Sequence, residues 1–142
     1  MSNQPRPLIG VDAIAISVPA AYIDLHDLAV ARGVAPEKMR AGLGVERMAI
    51  AAPEEDTVAL AINAARRMFR LSGASPAEVG LVVTGTETAV DHSKPVASYL
   101  HGHLGLPSSC RVYETKHACY GGTAGLFTAM DWIASGSARG RS

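Results

Sequence analysis

Residues 119–135 constrain the fold more than any other stretch of this chain. They begin Cys119-Tyr120-Gly121-Gly122-Thr123-Ala124-Gly125 and carry one charge, Asp131. A helix with small or apolar side chains on nearly every face has no solvent side and calls for cover all round. Glycine in a helix costs roughly 1 kcal/mol against alanine. Three of them in the first turns imply close approach by another backbone or a ligand. Such a helix belongs at the centre of a layered α/β structure.

The rest of the pattern agrees with that class. Residues 8–17 read as a first strand, with Ile9, Val11, Ala13 and Ala15 on one face and Pro19 ending it. Asp24 is a candidate N-cap for a helix through Ala31, stopped by Gly33. Pro36 opens a second short helix to Ala41, closed by Gly42 and Gly44, and a short strand over 47–51 follows. Helix 57–71 carries the stripe Val58, Ile62, Ala65, Phe69, with Asp56 to cap it and Arg66, Arg67 and Arg70 near its negative end. Ser75-Pro76-Ala77-Glu78 has the form of a capping box. Strand 81–84, a turn at 91–95, helix 96–103 and strand 111–115 lead to the uncharged helix, with Gly136 as its C-cap candidate. Residues 1–142 read as one α/β domain without repeat or linker. It closes at 139–142 on a polar turn where a covering strand is expected, so the domain is expected to continue elsewhere.

Charge and composition exclude several functions. Thirteen basic and thirteen acidic side chains cancel, which removes the one-sided field of a nucleic-acid or membrane surface. Two cysteines, Cys110 and Cys119, form neither a disulfide framework nor a zinc pattern, so no metal is expected and a reducing compartment is the default. The polar residues 1–7 hold no secretory signal, and no apolar run reaches membrane length. A cytoplasmic protein is expected.

Cys119 is the first candidate for chemistry. It joins a strand to a helix start, where backbone N–H groups and the helix dipole favour an oxyanion. The competing role is an inert buried thiol, the usual fate of a lone cysteine. Cys110, among Pro107-Ser108-Ser109, has no such setting. Glu87 in Thr84-Gly85-Thr86-Glu87-Thr88 lies just past a strand's C-terminal end, where α/β sheets gather their sites. A surface cluster of Glu87, Asp91 and Lys94 is its plain alternative. His117 invites a Cys–His pair, with packing as the competing role. The Gly121–Gly125 tract lacks the Gly-Lys-Ser/Thr of a phosphate loop.

Two long segments carry a family resemblance. Gly85-Thr86-Glu87-Thr88-Ala89-Val90-Asp91-His92-Ser93-Lys94-Pro95-Val96 and Glu114-Thr115-Lys116-His117-Ala118-Cys119-Tyr120-Gly121-Gly122-Thr123-Ala124 resemble the N-terminal catalytic motifs of HMG-CoA synthases. Gly42-Leu43-Gly44-Val45-Glu46-Arg47-Met48 resembles a third family segment. The resemblance implies a thiolase fold, layered α/β/α/β/α, of which this chain covers most of the N-terminal half, and a homodimer. It maps the acyl-carrying cysteine onto Cys119, the general acid/base onto Glu87 and a supporting acid onto Asp91. Ala35, Pro36, Glu37 and Lys38 match a segment touching coenzyme A, with Lys38 near a phosphate.

The implied reaction joins acetyl-CoA and acetoacetyl-CoA through an acetyl-cysteine, with no cofactor beyond the thioester substrates. One departure stands out. The family's catalytic histidine, and an asparagine that helps bind acetoacetyl-CoA, match nothing in this chain, so the missing C-terminal half is an expected partner. Two alternatives remain open: the relative that uses carrier-protein-bound substrates in polyketide β-branching, and a non-catalytic partner subunit.

Overall fold

The computed structural model describes residues 8–138; the expected turn at 139–142 and the polar residues 1–7 lie outside them. Residues 8–17, expected as a strand, form no regular element and pair with nothing among the described residues. The period-2 pattern survives as half-buried Ile9, Ala13, Ala15 and Ser17 alternating with exposed Leu8, Ile14, Ile16 and Val18. Val11 is exposed, against the expectation. Alternation sets which way side chains point, whereas a strand also needs a hydrogen-bonding neighbour.

The first paired strand is instead β1 (Ala21–Asp24), which runs antiparallel to β2 (Arg47–Ile50). Arg47 stacks its guanidinium 4.7 Å above the Tyr22 ring across that pair. Between the strands lie α1 (Leu25–Ala31) and α2 (Pro36–Leu43). Asp24 caps α1 by accepting from the His26 N–H, as its sequence position suggests. Helix α2 runs past Ala41 and Gly42 to Leu43, because only Gly44 takes the left-handed conformation that ends a helix.

The second unit holds the site. Helix α3 (Thr57–Ser72) is capped by Asp56, whose Oδ1 accepts from Ala59 N–H at 2.7 Å. A single 3₁₀ turn at Pro76–Glu78 carries the reciprocal capping box of Ser75 and Glu78. Strand β3 (Leu81–Gly85) pairs in parallel with β4 (Arg111–Thr115), in the register Leu81 to Arg111 through Gly85 to Thr115. Helix α4 (Val96–His103) crosses between them. Val58 and Ile62 of α3 meet Val96 and Leu100 of α4 in the buried core, with Val82 packed against it. Strand alternation then sends Val83 and Gly85 to the opposite face, where α5 (Gly121–Ala134) lies.

That second face explains two glycines. A Cβ on Gly125 would stand 3.0 Å from Val83 Cγ1, and one on Gly85 would stand 2.5 Å from the carbonyl carbon of Gly121. Backbone meets backbone at this crossing, as the glycine density of the helix anticipates. The layers observed are helix, sheet, helix. Cover on all sides of α5 is not present among the described residues: Leu126 and Phe127 are 48% and 51% exposed, with Met130 and Ile133 beside them. No helix among the described residues is long and apolar enough to cross a membrane.

Candidate active site

Parallel strands put their C-terminal ends side by side, and here those ends carry the two expected side chains. Thr86 N–H donates to Thr115 carbonyl at 3.3 Å, extending the β3–β4 ladder one step beyond Gly85. Glu87 follows on one strand, and residues 116–119 follow on the other. The carboxylate of Glu87 then crosses the gap: its Oε1 accepts from the Ala118 N–H at 2.7 Å. Glu87 is thereby fixed against the residue that precedes Cys119.

Cys119 does not open the α-helix, as the sequence suggests, but sits in a 3₁₀ turn, Ala118–Tyr120, just before α5. Ala118 has φ +41°, the one non-glycine residue with positive φ among those described. For an L-residue that conformation is strained, and such strain collects at functional sites. The kink presents the Cys119 thiol as exposed rather than buried. Thr115 locks the turn from beneath, its hydroxyl donating to Gly121 carbonyl at 2.7 Å. Cys110 is buried, with its thiol 3.5 Å from Arg111 carbonyl.

Asp91 nucleates the turn between Glu87 and α4. Its Oδ1 accepts from the N–H of Ser93 at 2.7 Å and of Lys94 at 3.0 Å. Those backbone donors, Ser93 foremost, hold its carboxyl below the ordinary value of 3.8. Lys94 places its ammonium 4.1 Å above the Tyr99 ring; it makes no salt bridge with Glu87 or Asp91 among the described residues, although its charge adds a smaller pull on the Asp91 carboxyl. The His117 ring packs edge-on against Tyr120 at 5.1 Å, in keeping with packing rather than a Cys–His pair.

Residues 35–38 open α2, and no hydrogen bond among the described residues links them to Glu87 or Cys119. Pro36 and Glu37 line a groove of about 240 Å³ with Leu25, His26, Arg40 and Glu46. Lys38 and Ala35 are exposed and not part of its lining. Arg40 is held at the groove by an exposed ion pair with Glu46 at 2.9 Å. One residue escaped the sequence reading: Glu114, partly buried on β4, whose Oε2 accepts from Val96 N–H at 2.7 Å and Thr84 hydroxyl at 3.4 Å. Its signal was available, since an acid on a strand that otherwise faces a core needs a partner.

The arrangement is a cysteine raised on a strained turn beside a carboxylate at the ends of parallel strands, and the solved structures that superpose on this chain place it in the thiolase fold. Within that class the chain belongs to the hydroxymethylglutaryl-CoA synthase family: the model of its N-terminal domain, "Hydroxymethylglutaryl-coenzyme A synthase N terminal", matches residues 5–142. Hydroxymethylglutaryl-CoA synthase of Enterococcus faecalis is 40% identical over 126 residues, which are 89% of this chain and 32% of that protein. A polyketide biosynthesis 3-hydroxy-3-methylglutaryl-ACP synthase, PksG of Bacillus subtilis, is 35% identical over 132 residues, 92% of this chain and 31% of that one. A solved structure of MvaS in complex with 3-hydroxy-3-methylglutaryl coenzyme A superposes with TM-score 0.85 at 56% identity, covering 91% of this chain and 31% of that one. The chain thus spans about a third of the length of the relatives it matches.

Proposed function

We propose that this chain supplies the nucleophile and the acid/base of a hydroxymethylglutaryl-CoA synthase. The observation that carries the reading is the bond from Ala118 N–H to Glu87, which sets a carboxylate beside the Cys119 turn. The Cys119 sulfur attacks the thioester carbon of acetyl-CoA, and coenzyme A leaves as the thiol. Splitting the condensation through an acetyl-cysteine replaces one hard step with two easier ones. Glu87 then takes a proton from the acetyl methyl group. The positive end of the α5 dipole begins two residues past Cys119 and favours the developing enolate, Gly121 N–H itself being taken by Ala118 carbonyl. The carbanion attacks the ketone of acetoacetyl-CoA, Glu87 returns its proton to the new alkoxide, and water releases the product from Cys119.

Asp91 holds the loop on which Glu87 rides. The groove at Pro36 and Glu37 is the candidate seat for part of coenzyme A, with Lys38, exposed on the same helix outside the groove's lining, as the candidate for a phosphate. A further segment, carrying a histidine and the remaining cover of α5, completes a homodimeric enzyme. Thioesters of coenzyme A are favoured over carrier-protein substrates because the MvaS structure, at 56% identity, holds a coenzyme A product, whereas PksG, named for a carrier-protein substrate, stands at 35%.

The test is covalent labelling by acetyl-CoA in the protein completed by that segment. Mass mapping is expected to find acetyl on Cys119, abolished in Cys119→Ser and kept in Cys110→Ser. An adduct on Cys110, or none, overturns the assignment. Faster acylation by an acetylated carrier protein than by acetyl-CoA would move the substrate to the carrier-protein class.

A further inference from the structure

We infer that Glu114 is a positioning residue that sets the reach of Glu87 toward acetyl-Cys119, an inference that rests on the function proposed above. Helix α4 has Pro95 at its N-cap and so no side-chain cap of its own. The missing acceptor comes from another element: Glu114 Oε2 takes the Val96 N–H at 2.7 Å. The same oxygen accepts from Thr84 hydroxyl at 3.4 Å, so one carboxylate joins β3, β4 and the start of α4.

The consequence falls on the loop between β3 and α4. That loop begins with Thr86, tied to Thr115, and carries Glu87 and Asp91. Its near end is therefore fixed by the sheet, its turn by Asp91, and its far end by Glu114. Five residues beyond Glu114 on the same strand path stands Cys119. A displacement of the α4 start thus moves Glu87 relative to Cys119, while the turn holding Cys119 keeps its own lock through Thr115 and Gly121. Errors of about 1 Å in such placement reduce rates by about a hundredfold. Acetyl transfer to Cys119 precedes the step that uses Glu87, so the two half-reactions separate.

The experiment measures acetyl-Cys119 formation and condensation separately in the completed protein. Glu114→Asp keeps the charge and shortens the arm by about 1.5 Å; Glu114→Ala removes the acceptor; Glu114→Gln keeps an oxygen in place. Condensation is expected to fall about a hundredfold in the Asp and Ala variants, with acetylation near normal and the Gln variant restoring most of the rate. Asp56→Ala, which removes the N-cap of α3 at a typical cost of about 1 kcal/mol, controls for lost stability and is expected to melt earlier yet condense normally. Wild-type condensation rates in both the Asp and Ala variants of Glu114 overturn the inference. So does a parallel fall of acetylation and condensation, or an equal loss in Asp56→Ala. A wild-type protein that forms no acetyl-Cys119 overturns the proposed function itself, which separates the two failures.

Discussion

Replacing Gly85 with alanine puts a methyl group where the backbone of α5 already lies. The added carbon would sit 2.5 Å from Gly121 C, 2.5 Å from Gly122 N and 2.6 Å from Gly121 O. Carbon atoms pack at about 3.5–4.0 Å, so the overlap is about 1 Å. All three atoms belong to main chain, and no rotamer change relieves it. Either the first turn of α5 lifts off β3 or the end of β3 peels away. Overpacking typically costs about 1–3 kcal/mol, and a backbone-on-backbone clash belongs at the upper end. The shift is also aimed at the site, because Glu87 lies two residues past Gly85 and Cys119 two residues before Gly121. A displacement of about 1 Å there predicts a loss of condensation near a hundredfold. Gly122→Ala is the internal control, since its Cβ meets nothing within 4 Å among the described residues. Alanine gains up to about 1 kcal/mol over glycine in a helix. Denaturant midpoints and turnover of both variants, in the completed protein, check the argument. If Gly85→Ala unfolds and condenses like wild type, the close crossing of β3 and α5 is wrong.

Three further outcomes follow from the same geometry. Glu87→Ala is expected to form acetyl-Cys119 yet slow carbon–carbon bond formation by about a hundredfold to ten-thousandfold, and normal single-turnover condensation would reduce Glu87 to a structural carboxylate. Asp91 has its carboxyl held below 3.8 by the Ser93 and Lys94 amides, so its turn is intact above that value and opens as pH falls through the lowered one; amide shifts of Ser93 and Lys94 should titrate below pH 3.8, and a midpoint at or above it would contradict the bonds. Expressed alone, residues 1–142 should bind a hydrophobic dye or aggregate through Leu126, Phe127, Met130, Ile133 and the unpaired Ile14, Ile16 and Val18, whereas a monodisperse monomer with a cooperative melt would show that this surface is covered.

The parts of this structure that the sequence discloses are those whose causes are local. Asp24 and Asp56 cap the helices they precede, Ser75 and Glu78 close their box, and strand Arg111–Thr115 and helix Val96–His103 fall where alternation and turn residues put them. Each is decided within a few residues. What stayed hidden involves partners far apart in the chain. Strand β1 forms because Ala21 finds Ile50, and four residues with two exposed do not announce such a pairing. Residues 8–17 have the better alternation and no strand partner among the described residues. The site divides in the same way. Residue types and motif context single out Cys119 and Glu87, but only the fold brings Ala118 N–H to a carboxylate 31 positions away. Positive φ at Ala118 has no signature in composition, because alanine disfavours it and the surrounding bonds impose it. Glu114 shares a strand face with Val112, which marks an acid in need of a partner but not which partner; its two donors come from different elements, Thr84 on β3 and Val96 on α4. Chemistry is therefore legible in which residues are present, and mechanism in which distant backbone groups hold them. For this protein the second kind of information makes Glu87 more than a loop acid: the sheet fixes its stem, the strained Ala118 fixes its tip, and Glu114 fixes the far end of its loop.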